Sequence, residues 1–268
     1  MSIIAGPKIW TRKPISGSQI NRSHPLSQGI ISAFLFNEGG SACFDLADTQ
    51  VATTGAGALQ WQESANFDGA TYVQRGNPPF LSSAVINFSV TLRIKCTSSS
   101  RMGIVTNFDP SFNGFAVGMA ATTPAGQIDA YFAGWYGGAG GTSIAVNDGK
   151  WHIITFTCAV GSPNVEKLYV DGVFIGSVAL GPFNGVTTPL QIGKEETFFF
   201  SGQIDFVVLH SRTLTSSDVL QFHTYPYSFM QPQSPRPRYW LSANVAPPDT
   251  TVDMPPVVVY YPDFMMTT

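Results

Sequence analysis

Residues 148–177, DGKWHIITFTCAVGSPNVEKLYVDGVFIGS, predict three β-strands joined by two turns. The dipeptide Asp171-Gly172 suits a type I′ hairpin turn, which needs positive φ at both central residues. Pairing outward from this turn predicts three cross-strand pairs, namely Val170 with Val173, Tyr169 with Phe174 and Leu168 with Ile175. Successive strand residues face opposite sides of a sheet, so the two aromatic residues share one face and the four aliphatic residues the other.

Composition limits the class of protein. Apolar residues make up 44% of the 268 residues and charged residues 12%, roughly half the charged share of an average globular protein. The net charge of −3 and the lack of a basic run argue against nucleic acid and against an acidic membrane surface as partners. The sequence contains no apolar run of membrane-spanning length. The N-terminus has no apolar stretch typical of a secretory signal, which predicts a soluble protein that is made in a cytoplasm.

The strand pattern continues along the chain. In NFSVTLRIKC (87–96) the apolar residues alternate with polar ones, which predicts a half-exposed antiparallel strand. Its inward face would consist of Phe88, Val90, Leu92, Ile94 and Cys96. Turn residues recur every 8–12 positions and no long helical stretch intervenes, a pattern typical of an all-β sandwich or barrel.

Three regions are predicted: an irregular N-terminal arm over residues 1–28, a β-sandwich over 29–224 and a proline-rich C-terminal arm over 225–268. Nine of the 19 prolines lie from residue 226 onward, and proline removes a backbone donor that sheets and helices need. One short helix is predicted near the end of the sandwich. Its signals are Thr215 as N-cap, Asp218 at N3, and a hydrophobic staple of Leu214 with Val219.

Cysteine and histidine spacing gives no metal motif. Three cysteines without C-x-x-C spacing predict buried, reduced thiols, at Cys43, Cys96 and Cys158. His152 follows a tryptophan in a strand and is interpreted as a hydrogen-bonded structural imidazole. The other three histidines are isolated, so no metal ligands and no cofactor are predicted. A bound calcium stays open, because four aspartates lie in suitable loops: Asp45, Asp48, Asp68 and Asp109. Their alternative role is turn chemistry.

Six segments occur in an order that resembles the laminin-G / concanavalin A-like lectin superfamily: NFDGATYVQ, FSVTLRIKC, NDGKWHIITFTC, LYVDGVFIG, LQIGK and FSGQIDFVVLHSRTLTSSDVLQFH. The resemblance covers about residues 29–224. It implies a concanavalin A-like jelly roll, an all-β fold of two antiparallel sheets, with one short C-terminal helix. It says less about function, because function belongs to sites grafted on folds.

Some members of the superfamily that this chain resembles are glycan hydrolases, so the sequence was compared with their catalytic pattern. Glucanase-type relatives carry their carboxylates on one strand in an E-x-D-x-x-E pattern, whereas no two of the 17 acidic residues here lie two positions apart. No enzymatic activity and no catalytic residues are therefore predicted. Trp135 and Tyr136, in AGWYGGAGG, are the candidate carbohydrate-binding residues, since aromatic rings beside polar groups suit sugars. The alternative is that Trp135 continues the preceding strand into the core.

The flanking segments are similar to those of phage and prophage proteins of this type, both before the domain (KIWTRKPISGSQINRSHPL) and after it (YPYSFMQPQSPRPRYWL). This predicts a non-enzymatic structural component of a virion, either a head decoration or minor capsid protein or a tail protein, with a possible glycan contact. Its partners would be other virion subunits, including copies of itself. The alternative is a free-standing carbohydrate-binding lectin module of bacterial origin.

The C-terminal arm contains a candidate partner-binding strand. Five β-favouring residues lie between two prolines: Val257, Val258, Val259, Tyr260 and Tyr261. A short apolar strand on an extended tether suits addition to the exposed edge of a sheet. We therefore expect this segment to dock on a neighbouring subunit, with its own sandwich as the alternative.

Overall fold

The computed structural model describes residues 11–231, except 41, 49, 56, 58, 84–86, 110, 112, 120–125, 133–134, 137–143, 162–163 and 181–182. For residues 131, 132, 135, 136 and 180 it describes the backbone alone. The strands are β1 (Ile30–Phe34), β2 (Cys43–Phe44), β3 (Val51–Gly55), β4 (Gln60–Trp61), β5 (Ala65–Asp68), β6 (Tyr72–Arg75), β7 (Phe88–Lys95), β8 (Met102–Phe108), β9 (Gly114–Met119), β10 (Ile128–Phe132), β11 (Trp135–Tyr136), β12 (His152–Ala159), β13 (Asn164–Val170), β14 (Val173–Leu180), β15 (Leu190–Ile192), β16 (Lys194–Glu195), β17 (Phe198–Phe199) and β18 (Ser201–His210). One α-helix, α1, spans Ser216–Thr224.

Two antiparallel sheets form a sandwich. Sheet 1 runs β14-β13-β12-β7-β18-β5-β4, with β1 also paired to β18, and sheet 2 runs β11-β10-β9-β8-β15-β6-β3-β2. The core between them is rich in aromatic rings; the Phe88 ring lies 5.2 Å from that of Phe115 and 6.0 Å from that of Phe156, centroid to centroid. The predicted fold class, a two-sheet antiparallel sandwich with one short helix, is confirmed.

The β13–β14 hairpin contains the predicted turn and one unpredicted bulge. Asp171 and Gly172 have φ values of 52° and 80°, as a type I′ turn requires. The pairs Val170 with Val173 and Tyr169 with Phe174 are confirmed. The third predicted pair is wrong, because a register shift between Leu168 and Tyr169 sets Leu168 opposite Gly176. The bulge adds one residue to β14, and the amino-acid sequence of the hairpin does not indicate it.

Strand β7 lies in the middle of sheet 1 and is covered on both faces. Its five predicted inward residues are all buried in the main core. The predicted exposure of the opposite face is wrong for Ser89 and Thr91, which are also buried, whereas Arg93 and Lys95 are partly exposed. The Ser89 hydroxyl accepts from the backbone N–H of Leu214 at 2.9 Å, and the Thr91 hydroxyl lies 3.2 Å from that of Thr155. Segments from both ends of the domain cover this face.

These covering segments extend the packed region beyond the predicted boundaries at residues 29 and 224. Ile20 forms a bridge with Met230, and the N–H of Asn21 donates to the carbonyl of Phe229 at 2.8 Å. Both bridging residues belong to a second apolar cluster on the outer side of sheet 1, which also includes Leu26. Residues in 11–28 therefore pack on the sandwich of their own chain, where the sequence predicted an arm.

A buried ionic cluster ties the same segments to sheet 1. The carboxylate of Asp205 on β18 accepts from Lys13 Nζ at 2.7 Å and from Arg93 on β7 at 2.9 Å. The Tyr227 hydroxyl donates to the same carboxylate, whose side chain is 4% exposed. Burial lowers the pKa of Lys13, and the Asp205 carboxylate opposes that shift. One carboxylate thus joins an N-terminal residue, two strands and the segment after the helix.

Helix α1 begins and ends close to the predicted positions. Thr215 and Asp218 form the predicted capping box, and Leu214 and Val219 are both buried in the second apolar cluster. The helix ends at Thr224, before Pro226, because proline cannot donate the next helical hydrogen bond. In the described part of the chain no helix has the length and apolarity needed to cross a membrane.

The buried histidine and cysteines have the predicted structural roles. His152 Nδ1 lies 2.7 Å from the Asp171 carboxylate of the hairpin turn, and Nε2 lies 3.0 Å from that of Asp148. These carboxylates raise the pKa of His152 against the opposing effect of burial. The three cysteines are free and buried, which confirms the predicted reduced thiols.

Candidate functional site

The outer face of sheet 2 combines polar side chains with a strip that lacks side chains. Residues flanking Gln74 on β6 and Gln191 on β15 point into the core, so both glutamines point outward. They pair across the sheet, and Gln191 Nε2 donates to Gln74 Oε1 at 2.9 Å. Both side chains are half-buried. In the region that the structure describes, the donor Nε2 of Gln74 and the acceptor Oε1 of Gln191 have no protein partner, so both are open to solvent or to a ligand.

Two glycines form the adjacent strip. Gly103 on β8 pairs with Gly118 on β9, and Asp129 on β10 lies opposite Gly118 on its other side. A Cβ at Gly103 would lie 2.2 Å from the backbone nitrogen of Glu195. A Cβ at Gly118 would lie 3.2 Å from Glu195 Oε2. The glycines thus let the β16–β17 hairpin lie directly on the sheet, with the Glu195 carboxylate above Gly118.

Arg101 fixes this hairpin electrostatically. Its guanidinium donates to Glu195 Oε1 at 2.7 Å and lies 4.0 Å from the centre of the Phe198 ring. Burial, and then the Glu195 carboxylate, raise the pKa of Asp129 to about 6, although a backbone hydrogen bond from Ala130 opposes the shift. The site therefore combines two carboxyl groups from different strands with one guanidinium.

An aromatic cluster closes the β6 side of this face. Lys194 Nζ lies 4.4 Å from the centre of the Tyr72 ring and 5.2 Å from that of Phe199. The other side of Tyr72 packs over Gly55, where a Cβ would lie 2.1 Å from the ring. Both ring faces of Tyr72 are thus in use, so this tyrosine supports the face without offering a free stacking surface.

The predicted carbohydrate-binding residues lie at the border of the same sheet. Trp135 and Tyr136 form β11, which pairs with Phe132 and Tyr131 of β10, next to the strand that carries Asp129. A reversal between β10 and β11 separates Trp135 from the preceding strand, so the chain does not continue straight through it. The predicted partner-binding strand, residues 257–261, lies outside the described residues.

Sequence reasoning missed four polar residues of this face: Gln74, Gln191, Asp129 and Glu195. A signal existed for Gln191, a single polar residue between Leu190 and Ile192. No signal in the sequence showed that β6 and β15 are neighbours, because the paired residues Arg75 and Leu190 lie 115 positions apart in the chain. The carboxylates were missed because they come from separate strands and not from one strand.

The four aspartates considered for calcium bind their own chain. Asp45 accepts from Arg75 and from the Ser32 hydroxyl, and Asp48 also pairs with Arg75 at 3.1 Å. Asp68 accepts from the N–H groups of its own turn, which confirms the turn interpretation. Asp109 does the same in a different loop. Among the described residues no group of three or more acidic, histidine or cysteine side chains is arranged to hold a metal ion.

One further carboxyl group is buried on sheet 1. Glu166 on β13 is 1% exposed, and neither of its carboxylate oxygens has a hydrogen-bond partner among the described residues. Burial, followed by the negative charge of Asp129, raises its pKa to about 9, so it is neutral at pH 7. It lies beside Cys158, whose pKa burial raises to about 12.

Comparison with solved structures shows the same fold in proteins of low sequence identity. Domain 4 of AbnA, a GH43 extracellular arabinanase from Geobacillus stearothermophilus solved with arabinotriose, is 18% identical with a TM-score of 0.57, covering 72% of this chain and 98% of that one. The binding domain of botulinum neurotoxin serotype G is 14% identical with a TM-score of 0.54, covering 74% and 51%. That of neurotoxin DC, solved with SialylT, is 11% identical with a TM-score of 0.53, covering 74% and 52%.

The chain therefore spans about half the length of the toxin binding domains. Comparison with curated proteins gives no match. The sequence profile of the concanavalin A-like lectin/glucanases superfamily matches residues 67–220, which are 154 of the 268 residues. This segment includes the hairpin turn, the capped start of the helix and most of the polar face on sheet 2. Because the match covers more than half of the sequence, the chain belongs to the concanavalin A-like lectin/glucanases superfamily.

Proposed function

We propose that this domain binds glycans, without hydrolysing them, on the outer face of sheet 2. The observation that carries the proposal is the pair of outward amides, Gln74 and Gln191. Asp129 lies on the same sheet, with strands β8 and β9 between it and Gln191. Amides and carboxylates donate to and accept from neighbouring sugar hydroxyls, and ligand sites generally place a few such groups on a shaped surface. The edge strand with Trp135 and Tyr136 would add aromatic contacts.

The similar structures support the class of ligand. One is an arabinanase domain in complex with arabinotriose and another is a toxin binding domain in complex with SialylT. The absence of hydrolysis is supported by the state of Glu195, which forms an ion pair with Arg101 and so does not face an open cleft as a free nucleophile. Retaining hydrolysis needs two available carboxyl groups across the scissile bond.

Glycan binding should be weak and should depend on the amide pair. We expect Gln191→Ala to lower the affinity for the best ligand on a glycan array at least tenfold, since two lost hydrogen bonds amount to about 2 kcal/mol. Trp135→Ala should weaken binding as well. Titration calorimetry of the full chain measures both changes.

The matched control is Gln203→Ala. Gln203 forms a similar amide pair with Gln62, at 3.1 Å, but on sheet 1. Equal losses in the Gln203 and Gln191 variants would contradict a site on sheet 2. A reducing-sugar assay completes the test, and release that disappears in Asp129→Asn or Glu195→Gln would overturn the non-enzymatic assignment.

We also propose that the chain is a structural component of a phage virion, made in the host cytoplasm, as a head decoration, minor capsid or tail protein. The support is the similarity of the flanking segments to phage and prophage proteins. Mass spectrometry and immunogold electron microscopy of purified particles test this directly. Recovery of the protein in stoichiometric amounts with particles is expected, whereas its confinement to the particle-free fraction would favour a free-standing lectin.

A further inference from the structure

Strand β14 is the long unprotected edge of this sandwich. Of the four strands at the ends of the two sheet paths, β2, β4 and β11 have two residues each, whereas β14 has eight. Strand β1 also lies at a border, but Asp45 and Leu46 cover it by hydrogen bonds with the backbone of Ala33. Within the described residues β14 pairs with β13 alone.

The sequence of β14 lacks two usual protections of a sheet edge. VFIGSVAL contains no charged residue and no proline, which natural proteins use to discourage pairing at edges. Its bulge lies close to the turn, and residues 176–180 pair with β13 without a further register shift. Val173 and Phe174 are 58% and 52% exposed, and Ser177 and Ala179 are exposed as well. An edge of this kind offers a row of backbone donors and acceptors together with small or apolar side chains.

We infer that β14 pairs with residues 257–261 of a second copy of this chain. That segment, VVVYY, is likewise uncharged, and the prolines at 256 and 262 limit the pairing to about five residues. Neither strand contains a charged residue, so pairing would bury no charge. The backbone groups that lose water would form hydrogen bonds with the new strand, and the apolar side chains would gain contacts. The inference goes beyond glycan binding and does not depend on it.

The length of the tether lets this segment reach a second copy. Residues 232–256 follow the last described residue, Gln231, and seven of these 25 residues are proline. At about 3.1 Å per residue, 25 residues can span on the order of 78 Å. Sheet 1 has seven strands on its path, so it is about 30 Å wide. A tether of this length is therefore long enough to bring residues 257–261 to the edge strand of a neighbouring copy.

Disulfide crosslinking between two different full-length chains tests the inference. One chain carries Ala179→Cys or Ser177→Cys on β14, and the other carries Val258→Cys or Val259→Cys in the tail. The native cysteines are buried and do not compete. Under mild oxidation a crosslinked heterodimer should form in high yield for at least one pair. The matched control is Gln60→Cys, an exposed residue on the opposite edge of sheet 1.

Three results would overturn the inference. The first is a heterodimer yield with Gln60→Cys that equals the yield with the β14 cysteines. The second is the absence of a heterodimer with every pair of cysteines. The third comes from a chain that carries both cysteines, if its disulfide forms within that chain and never between two chains. A second readout needs no new cysteine. Ala179→Lys adds the charge that edges usually carry, and sedimentation velocity should show a shift of the wild-type oligomer toward monomer, whereas an unchanged distribution would contradict pairing at β14.

Discussion

Replacing Asp205 with asparagine should lower the free energy of unfolding by about 3–5 kcal/mol, because the change leaves two cations without their buried carboxylate. Lys13 and Arg93 both bind this group, and the Tyr227 hydroxyl donates to it. Since Lys13 belongs to the N-terminal segment, the variant should also release that segment from sheet 1. Urea unfolding measures the first effect, and trypsin cleavage after Arg22 measures the second.

Asp68→Asn is the matched control for this variant. Asp68 is an aspartate on the neighbouring strand β5, where it accepts hydrogen bonds from its own turn and is exposed. Its replacement should change the unfolding midpoint far less than that of Asp205. Similar midpoints for both variants, without faster cleavage in the Asp205 variant, would mean that residues 11–28 do not depend on the ionic cluster.

Replacing Glu166 with methionine should stabilise the protein, and more so at high pH. The carboxyl group is buried without a hydrogen-bond partner among the described residues, so an apolar side chain of similar length removes a desolvation cost. Burial raises its pKa from 4.5 to about 9, so the folded state holds a proton that the unfolded state releases between these values. The contribution of Glu166 to wild-type stability therefore falls as pH rises from about 4.5 to about 9.

The methionine variant lacks this loss, and we expect a gain of about 2–4 kcal/mol at pH 8 and a smaller gain at pH 5. Urea unfolding at the two pH values measures it. Glu166→Gln separates the two causes, because it removes the titration but keeps a buried polar group. A gain that does not vary with pH in the methionine variant would show that Glu166 ionises in the folded protein as it does in the unfolded chain.

The sequence predicted the elements of the fold better than their surroundings. The type I′ turn at Asp171-Gly172, the capping box of α1 and the inward face of β7 depend on local chemistry, and all three are confirmed. The outward face of β7 was predicted to be exposed, because nothing in its own sequence shows that distant segments cover Ser89. Long-range packing is not encoded in a strand's own periodicity.

The candidate site was harder to predict for the same reason. Trp135 and Tyr136 were found because aromatic residues next to glycines are visible in sequence, and the structure places their backbone on the border of sheet 2. Gln74 and Gln191 meet because β6 and β15 are neighbours, which no local pattern indicates. Asp129 and Glu195 likewise come from different strands, whereas the pattern of catalytic carboxylates that a sequence reveals lies along one strand.

Hydrogen–deuterium exchange of the full chain, with and without the best oligosaccharide from the array, tests the proposed glycan site most directly. Binding on the outer face of sheet 2 should slow exchange in β6, β10, β15 and the β16–β17 hairpin, and leave sheet 1 unchanged. The Gln191→Ala variant should lose this protection at the same ligand concentration. Protection confined to sheet 1 or to its covering segments, or no binding to any glycan, would contradict a glycan site on sheet 2.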